Sequence, residues 1–494
     1  MKDSPLGSNL GHPPRLPDES SLDPSDWQAF RQLAHEALDE AIRFLETVRD
    51  RPVWQKVPDE VRAHLSAPLP REGTPLPLAY REFTENIMPY ATGNIHPRFF
   101  GWVHGSGQAG NIVAELLGAA MNSNCGGRDH GAIYVEREVI NWFKELFGFP
   151  RESAGLIVSG TSMANLIAIG VARNSISENM RKEGVQGLPR SLAAYASAEV
   201  HDSVVKALEI LGIGSSSLRR ILVNPDYTVN VNALKEAIAS DRAAGYQPFC
   251  VIGSAGTVNT GAIDDLNQLA SLCANEKLWF HVDGAFGALC MMSERLRPRL
   301  KGIERADSLG FDFHKWAHVQ YDAGCILVRN GAAYRAAYSM RPAYLQHADR
   351  GLGAGEDWPC DYGPELSRSF RALKIWFALK EHGTSRIGEL IDQNCAQAEY
   401  LAHRIESEPQ LELLAPVSLN IVCFRLRRDG LDAAALDKLN KDIVADVQES
   451  GVAAPSTTRI KGQLAIRVNI TNHRTQRPDL DALVDAVLKA GRMR

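Results

Sequence analysis

A chain of 494 residues exceeds what one ordinary hydrophobic core serves, so two or three structural units are expected. With 45% hydrophobic and 23% charged residues and a net charge of −5 of mixed signs, the composition is that of a soluble globular protein and argues against nucleic acid as the main partner. The eight cysteines (Cys125, Cys250, Cys273, Cys290, Cys325, Cys360, Cys395, Cys423) include no CxxC pair, which suits buried free thiols in a reducing compartment, and no histidine or cysteine set has metal-ligand spacing.

Residues 1–24 are rich in Pro, Ser and Gly, without an apolar segment of signal-peptide length, and read as a loose arm. The longest apolar region, residues 155–172, is interrupted by Ser159, Gly160, Thr161, Ser162 and Asn165, so no membrane span is expected and a cytoplasmic location is the default. Apolar residues at helical spacing (Phe30, Leu33, Ala37, Ile42, Leu45) predict a helix over 27–49, capped by Ser25 or Asp26. The stretch from Gly93 to Gly107 sets aromatics, His96 and His104 among glycines. It reads equally as a substrate wall or a packed loop between units. Helical patterns over 112–121 and 132–147 flank a polar, Gly-rich loop at 122–130.

Next, Gly160-Thr161-Ser162 opens an apolar helix. Free backbone N–H groups, two hydroxyls and the positive end of a helix dipole are the parts of a phosphate cradle, although simple capping has the same look. The spacing matches neither GxxxxGK[ST] nor GxGxxG. From Ser191 strands at 192–197, 220–223, 249–253 and one ending at Asp283 alternate with helices, which predicts a largely parallel sheet covered on both faces. His201, Thr257, Asp283 and Lys315 all follow predicted strands and would gather along one sheet edge.

Two of those stretches carry the chemistry. Leu278 to Gly287 is a short strand ending in Asp283, at the end of the sheet where ligands bind. In an enzyme using pyridoxal 5′-phosphate (PLP) such a carboxylate keeps the pyridine nitrogen protonated, and the small Ala285 lets a flat ring approach; the alternative is a strand-end cap. Lys315 lies between His314 and Trp316, just before the apolar run 324–328. An ammonium there must be ion-paired, exposed, or used covalently as a Schiff base. His201 reads as a capping or packing histidine, or as a ring stacked on a cofactor. A long helix begins at Pro364. The chain from about 388, with strands at 418–426 and 464–470, reads as a small α+β unit.

Taken together, His314-Lys315-Trp316, His281-Val282-Asp283-Gly284-Ala285, the stretch from Ala198 to Ser203 and the stretch from Leu366 to Lys374 resemble the blocks of the group II PLP-dependent amino-acid decarboxylases, in family order. This is the family of the aromatic-L-amino-acid, histidine and glutamate decarboxylases, and the resemblance runs from about His96 to Thr475. It implies an α/β fold of the aspartate-aminotransferase-like type (fold type I) with a mainly parallel seven-stranded sheet. The implied division is an N-terminal helical arm at 1–108, a large PLP-binding domain at 109–387 and a small C-terminal α+β domain at 388–494. An obligate homodimer with its site at the interface, and no metal, are also implied.

By position, Lys315 would carry PLP as a Schiff base, Asp283 would pair with the ring nitrogen, and His201 and Ala285 would take the ring faces. Thr161 and Ser162 would hold the phosphate, with Ser308, Asp312 and His314 close by and Thr257 near the Schiff base. Trp102, Val103 and His104 would face the substrate, with Asn124 and Gly126 reaching in from the partner subunit. The implied reaction turns an L-amino acid, an aromatic one as first guess, into an amine and carbon dioxide. An inactive PLP-binding paralogue is the non-enzymatic alternative, against which Lys315, Asp283 and His201 stand.

Two departures from the family pattern matter. Trp358 occupies the place of a loop tyrosine that protonates Cα, leaving Tyr362 as the nearest phenol, and without that acid the product becomes an aldehyde. Asn124 and Gly126, followed by Arg128, replace larger apolar residues and imply a roomier, more polar site. Arg467 falls where some relatives bind a distal carboxylate, or else forms a structural salt bridge.

Overall fold

The computed structural model describes residues 20–340, 348–355 and 357–494, so most of the expected N-terminal arm lies outside the described residues. The alternating pattern folds into a seven-stranded sheet: β1 (Ala154–Val158), β2 (Leu192–Ser197), β3 (Leu218–Ile221), β4 (Gln247–Ser254), β5 (Trp279–Asp283), β6 (Ser308–Asp312) and β7 (Gly324–Val328). Their order is β1-β7-β6-β5-β4-β2-β3. Strands β2 to β6 pair in parallel, whereas β7 runs antiparallel to both β6 and β1. The reason is local: residues 313–323, which join β6 to β7, are too few for a parallel crossover, which needs about a dozen or more. Every residue of β2, β6 and β7 is buried, as expected of strands covered on both faces.

Six helices precede or enter this sheet: α1 (Trp27–Glu46), α2 (Asp59–His64), α3 (Leu76–Asn86), α4 (Gly110–Met121), α5 (Gly131–Leu146) and α6 (Thr161–Asn174). Asp26 caps α1 by accepting from Gln28 N and Ala29 N. Central to the layer is α6, which lies on β6 so closely that a Cβ on Gly310 would come within 3.0 Å of Ala164 Cβ. That contact fixes where the N-terminus of α6 meets the C-terminal end of β6, and hence where Thr161 faces Asp312.

A second, wholly antiparallel sheet holds β8 (Leu411–Leu413), β9 (Ile421–Leu426), β10 (Ser456–Ile460) and β11 (Gln463–Asn469) in the order β10-β11-β9-β8. Helices Ala433–Glu449 and Arg477–Met493 close over it around Phe424, Ile466, Leu483 and Val487. The helix Arg371–Glu406 links the two sheets and is broken at Gly383, whose φ of 65° suits a residue without a Cβ. It starts later than the expected Pro364, because Arg368 is drawn into a buried ion pair with Glu136 at the preceding bend. The third strand lies at 218–221 rather than 220–223. No helix among the described residues is long and apolar enough to cross a membrane.

Candidate active site

The C-terminal ends of β4, β5 and β6, the N-terminus of α6 and the short helix Phe313–Trp316 converge on one cavity of about 520 Å³, bordered by Trp102, Thr161, His201, Asp283, Lys315 and Tyr321. Ser162, Thr257, Ala285, Asp312, His314, Val103 and His104 also line it. Residues spread over more than two hundred positions of sequence are thus brought together at the sheet edge.

At one end the N-terminus of α6 borders the cavity through Gly160, Thr161 and Ser162. Thr161 N donates to Asp312 Oδ1 at 2.7 Å, and Asp312 Oδ2 lies 2.9 Å from Lys315 Nζ. Thr161 Oγ1 is buried without a hydrogen-bond partner, an expensive state for a hydroxyl. A Cβ on Gly160 would sit 3.2 Å from His314 Cε1, so the turn has room for backbone only. An orphaned hydroxyl at a helix N-terminus in a tight, Cβ-free turn fits a phosphate group. Burial holds His314 below the usual histidine range, and its Nδ1 accepts from Ala323 N.

At the other end, Asp283 is oriented by a chain of donors. Trp279 Nε1 donates to Ser308 Oγ (2.8 Å), and Ser308 Oγ meets His281 Nδ1 (2.9 Å). His281 Nε2 meets Asn165 Oδ1 (2.9 Å), and Asn165 Nδ2 donates to Asp283 Oδ2 (2.8 Å). A neutral His281 that donates at Nε2 to Asn165 Oδ1 and accepts at Nδ1 from the Ser308 hydroxyl satisfies both contacts. Burial, which pushes His281 down to about 4, favours that neutral form. Ala285 N holds the other Asp283 oxygen at 3.2 Å. Such a fixed carboxylate fits a pyridine nitrogen. Ser308 therefore does not border the cavity as expected. It is fully buried behind it, because its hydroxyl serves His281 and Trp279.

His201 caps the helix Asp202–Ile210. Its Nδ1 accepts from Ser203 N at 3.1 Å, and the Ser203 hydroxyl, 2.8 Å from the same nitrogen, also accepts from Asn165 Nδ2. One asparagine thus ties His201 to Asp283. Thr257 is anchored by Ala262 N (3.1 Å) and Thr260 Oγ1 (3.0 Å).

The third wall is aromatic. His104 clusters with Phe99 (5.5 Å) and Trp102 (5.7 Å), themselves 6.2 Å apart, and burial together with the charge of Lys315 keeps its pKa low. Tyr321 lies 4.4 Å from the His314 ring, and its oxygen accepts from Gly105 N at 3.3 Å. Arg467 is neither a distal-carboxylate binder nor half of a salt bridge among the described residues. Its guanidinium is buried behind the wall, donating to Trp102 O and Val258 O, and burial lowers its pKa to about 10.

Besides Ser308, three expected site residues do not border this chain's cavity. Asn124 and Gly126 lie on the loop 122–130, where Asn124 Oδ1 accepts from Gly126 N and Arg368 N, and a Cβ on Gly126 would fall 1.8 Å from Leu366 O. They do not border their own chain's cavity. Tyr362 is buried in the core with its ring 5.0 Å from that of Tyr334, because the turn after Trp358 directs it inward, away from Lys315. Sequence reasoning missed Asn165, His281, Glu199 and Tyr321. Asn165 was signalled as an amide within the apolar stretch of α6, four residues after Thr161.

The model of the pyridoxal-dependent decarboxylase conserved domain matches residues 58–427. The chain is 35% identical over 452 residues to an aromatic-L-amino-acid decarboxylase of Bacillus atrophaeus, covering 91% of this chain and 92% of that protein. It is 27% identical over 475 residues to tryptophan decarboxylase 2 of Oryza sativa subsp. japonica, covering 94% and 95%. The crystal structure of Oryza sativa TDC with PLP and tryptamine superposes with a TM-score of 0.87 at 25% identity, over 96% of this chain and 99% of that one. The cavity fits PLP at both its phosphate and its ring nitrogen, and the chain belongs to the pyridoxal-dependent decarboxylase family as a PLP-dependent carboxy-lyase of amino acids.

Proposed function

We propose that this chain releases the α-carboxyl group of an aromatic L-amino acid as carbon dioxide and yields the amine. The observation that carries the reading is the single cavity in which Lys315, Asp283, Thr161 and His201 stand against the aromatic wall of Trp102 and His104. The names of the Bacillus and Oryza relatives support the same substrate class.

In this reading Thr161 and Ser162 at the N-terminus of α6 hold the phosphate, His201 and Ala285 take the ring faces, and Asp283 keeps a proton on the ring nitrogen. Lys315 Nζ makes the covalent attachment, with Asp312, His314 and Thr257 around it. When bound, PLP supplies an electron sink for the pair left behind by departing carbon dioxide. Trp102, Val103 and His104 orient the substrate and exclude water. A second reading, with an aldehyde as product, is favoured by one observation: Trp358 stands where a phenol was expected and Tyr362 is packed in the core.

The reading extends to a homodimer in which Asn124 and Gly126 reach the partner's cavity, and to a cytoplasmic location. In support of the dimer, α1 has an apolar stripe and no buried residue, and Val113, Leu116, Leu117 and Met121 of α4 are exposed. Eight unpaired thiols suit a reducing compartment. Light scattering of the PLP-loaded protein should give twice the chain mass, and a monomer with full activity would remove the interface from the proposal. The decisive experiment is a panel of L-amino acids offered to the loaded protein, following carbon dioxide, amine, aldehyde and peroxide together. Absence of carbon dioxide from the whole aromatic set would sink the substrate assignment.

A further inference from the structure

We propose that Tyr321 is the acid that delivers a proton to the carbon from which carbon dioxide departs, and so makes the amine the product. The inference rests on the decarboxylase reading and supplies the group that reading lacks.

Tyr321 borders the same cavity as Lys315 and Asp283. Its ring lies 4.4 Å from that of His314, the neighbour of Lys315 in sequence. The phenol oxygen accepts from Gly105 N at 3.3 Å, and no described residue accepts its proton, which is therefore left for a ligand. Gly105 in turn is pressed on the lysine's own backbone: a Cβ there would fall 1.8 Å from His314 O and 2.7 Å from Lys315 O. The amide that holds the phenol is thus registered to the segment that carries Lys315, and substitution at Gly105 is sterically closed. Tyr321 is 49% exposed in the single chain, and the partial desolvation of its phenol raises its pKa above the ordinary tyrosine value, so the group is protonated at neutral pH.

Three other side chains that border the cavity are less suited to the step. Burial keeps His104 and His314 in their neutral forms, and the His314 Nδ1 is already an acceptor. The Thr257 hydroxyl is tied into its own loop. Tyr362 is in the core, and an indole at Trp358 is no proton donor at this pH.

The step balances as follows. As the bond to the carboxyl group breaks, its electron pair stays with the substrate carbon; a C–H bond forms with that pair while the Tyr321 O–H bond breaks. The phenolate keeps the Gly105 N–H as a donor until water restores its proton. Where the proton is missing, dioxygen takes the pair instead. The carbon–nitrogen bond is then hydrolysed by water, which supplies the aldehyde oxygen; the nitrogen ends as ammonia and the dioxygen as hydrogen peroxide.

The test is Tyr321→Phe in the full PLP-loaded chain, which keeps the ring and removes only the oxygen. PLP affinity by fluorescence titration should stay within about twofold and carbon dioxide release should continue. The amine-to-aldehyde ratio should fall by about 100-fold or more, the size of a general-acid contribution, with peroxide matching aldehyde. An unchanged ratio overturns the assignment. So does loss of PLP binding or of carbon dioxide release, since either would put Tyr321 in an earlier role. Carbon dioxide from the wild type reports the decarboxylase reading and the ratio reports Tyr321, so the two fail separately.

Discussion

Lys315 Nζ and Thr161 N are held by the two oxygens of one carboxylate, Asp312, at 2.9 and 2.7 Å. The group that attaches the cofactor and the helix end that receives its phosphate are thereby set in register before any ligand arrives. Borohydride treatment of the loaded protein should fix PLP covalently to Lys315, and Lys315→Ala should give no adduct. An adduct mapped to another lysine would refute the assignment.

Asp283 depends on Asn165 for the donor to its Oδ2. Replacing Asn165 with Ala removes a hydrogen bond to a charged group, worth about 1.5–3 kcal/mol, and should slow carbon dioxide release by roughly 10- to 100-fold while PLP still binds. Asp283→Ala should bind PLP and be nearly inactive. Single-turnover rates with a spectroscopic PLP count check both, and undiminished turnover in either would contradict the role given to Asp283.

The neutral His281 makes stability fall in acid. Its folded pKa is about 4 against about 6.5 unfolded, so between those values the unfolded chain binds a proton that the folded chain does not. Stability therefore declines as pH drops from 6.5 to 4, by on the order of 3 kcal/mol for this group. His96 and His473, each lowered to about 4 by burial, act in the same direction. Urea midpoints at pH 7, 6 and 5 should decrease, and less steeply in His281→Gln; parallel slopes would count against His281.

Arg368 and Glu136 form a fully buried pair, and Arg368 also donates to Cys125 O and Ile157 O. Removing one partner of such a pair leaves the other charge uncompensated, at about 3–5 kcal/mol. Arg368→Ala should lower the urea midpoint accordingly and loosen the loop bearing Asn124 and Gly126. A drop under about 1 kcal/mol would mean that the pair is not intact in solution.

The sequence made the sheet legible because its strands are short apolar runs that end at polar or small residues, and those ends are the site: Thr257, Asp283 and the residues before Lys315. It did not reveal that β7 runs backwards, since pairing direction depends on the span of the connection and not on the strand. Asn165 and His281 escaped notice because each finds its partner more than a hundred residues away. Ser308 was misread for another reason: Trp279 and His281 on the adjacent strand engage its hydroxyl behind the cavity. Periodicity does not tell which way a lone phenol turns, so Tyr362, expected near the site, lies in the core, and Tyr321, which borders the cavity, was passed over. Asn124 and Gly126 depend on a second chain, on which one sequence is silent.

Arg467 joins Trp102 and Val258, residues 365 and 209 positions earlier in the chain, through one guanidinium. Contacts of such long sequence separation form late in folding. A ribosome-bound chain of about 340 residues would already hold β1 to β7 with Thr161, Asp283 and Lys315, yet would lack the clamp behind Trp102. Cofactor capture should therefore precede completion of the substrate wall during synthesis, with the last third or so of the chain acting as the closing step of the site's own assembly.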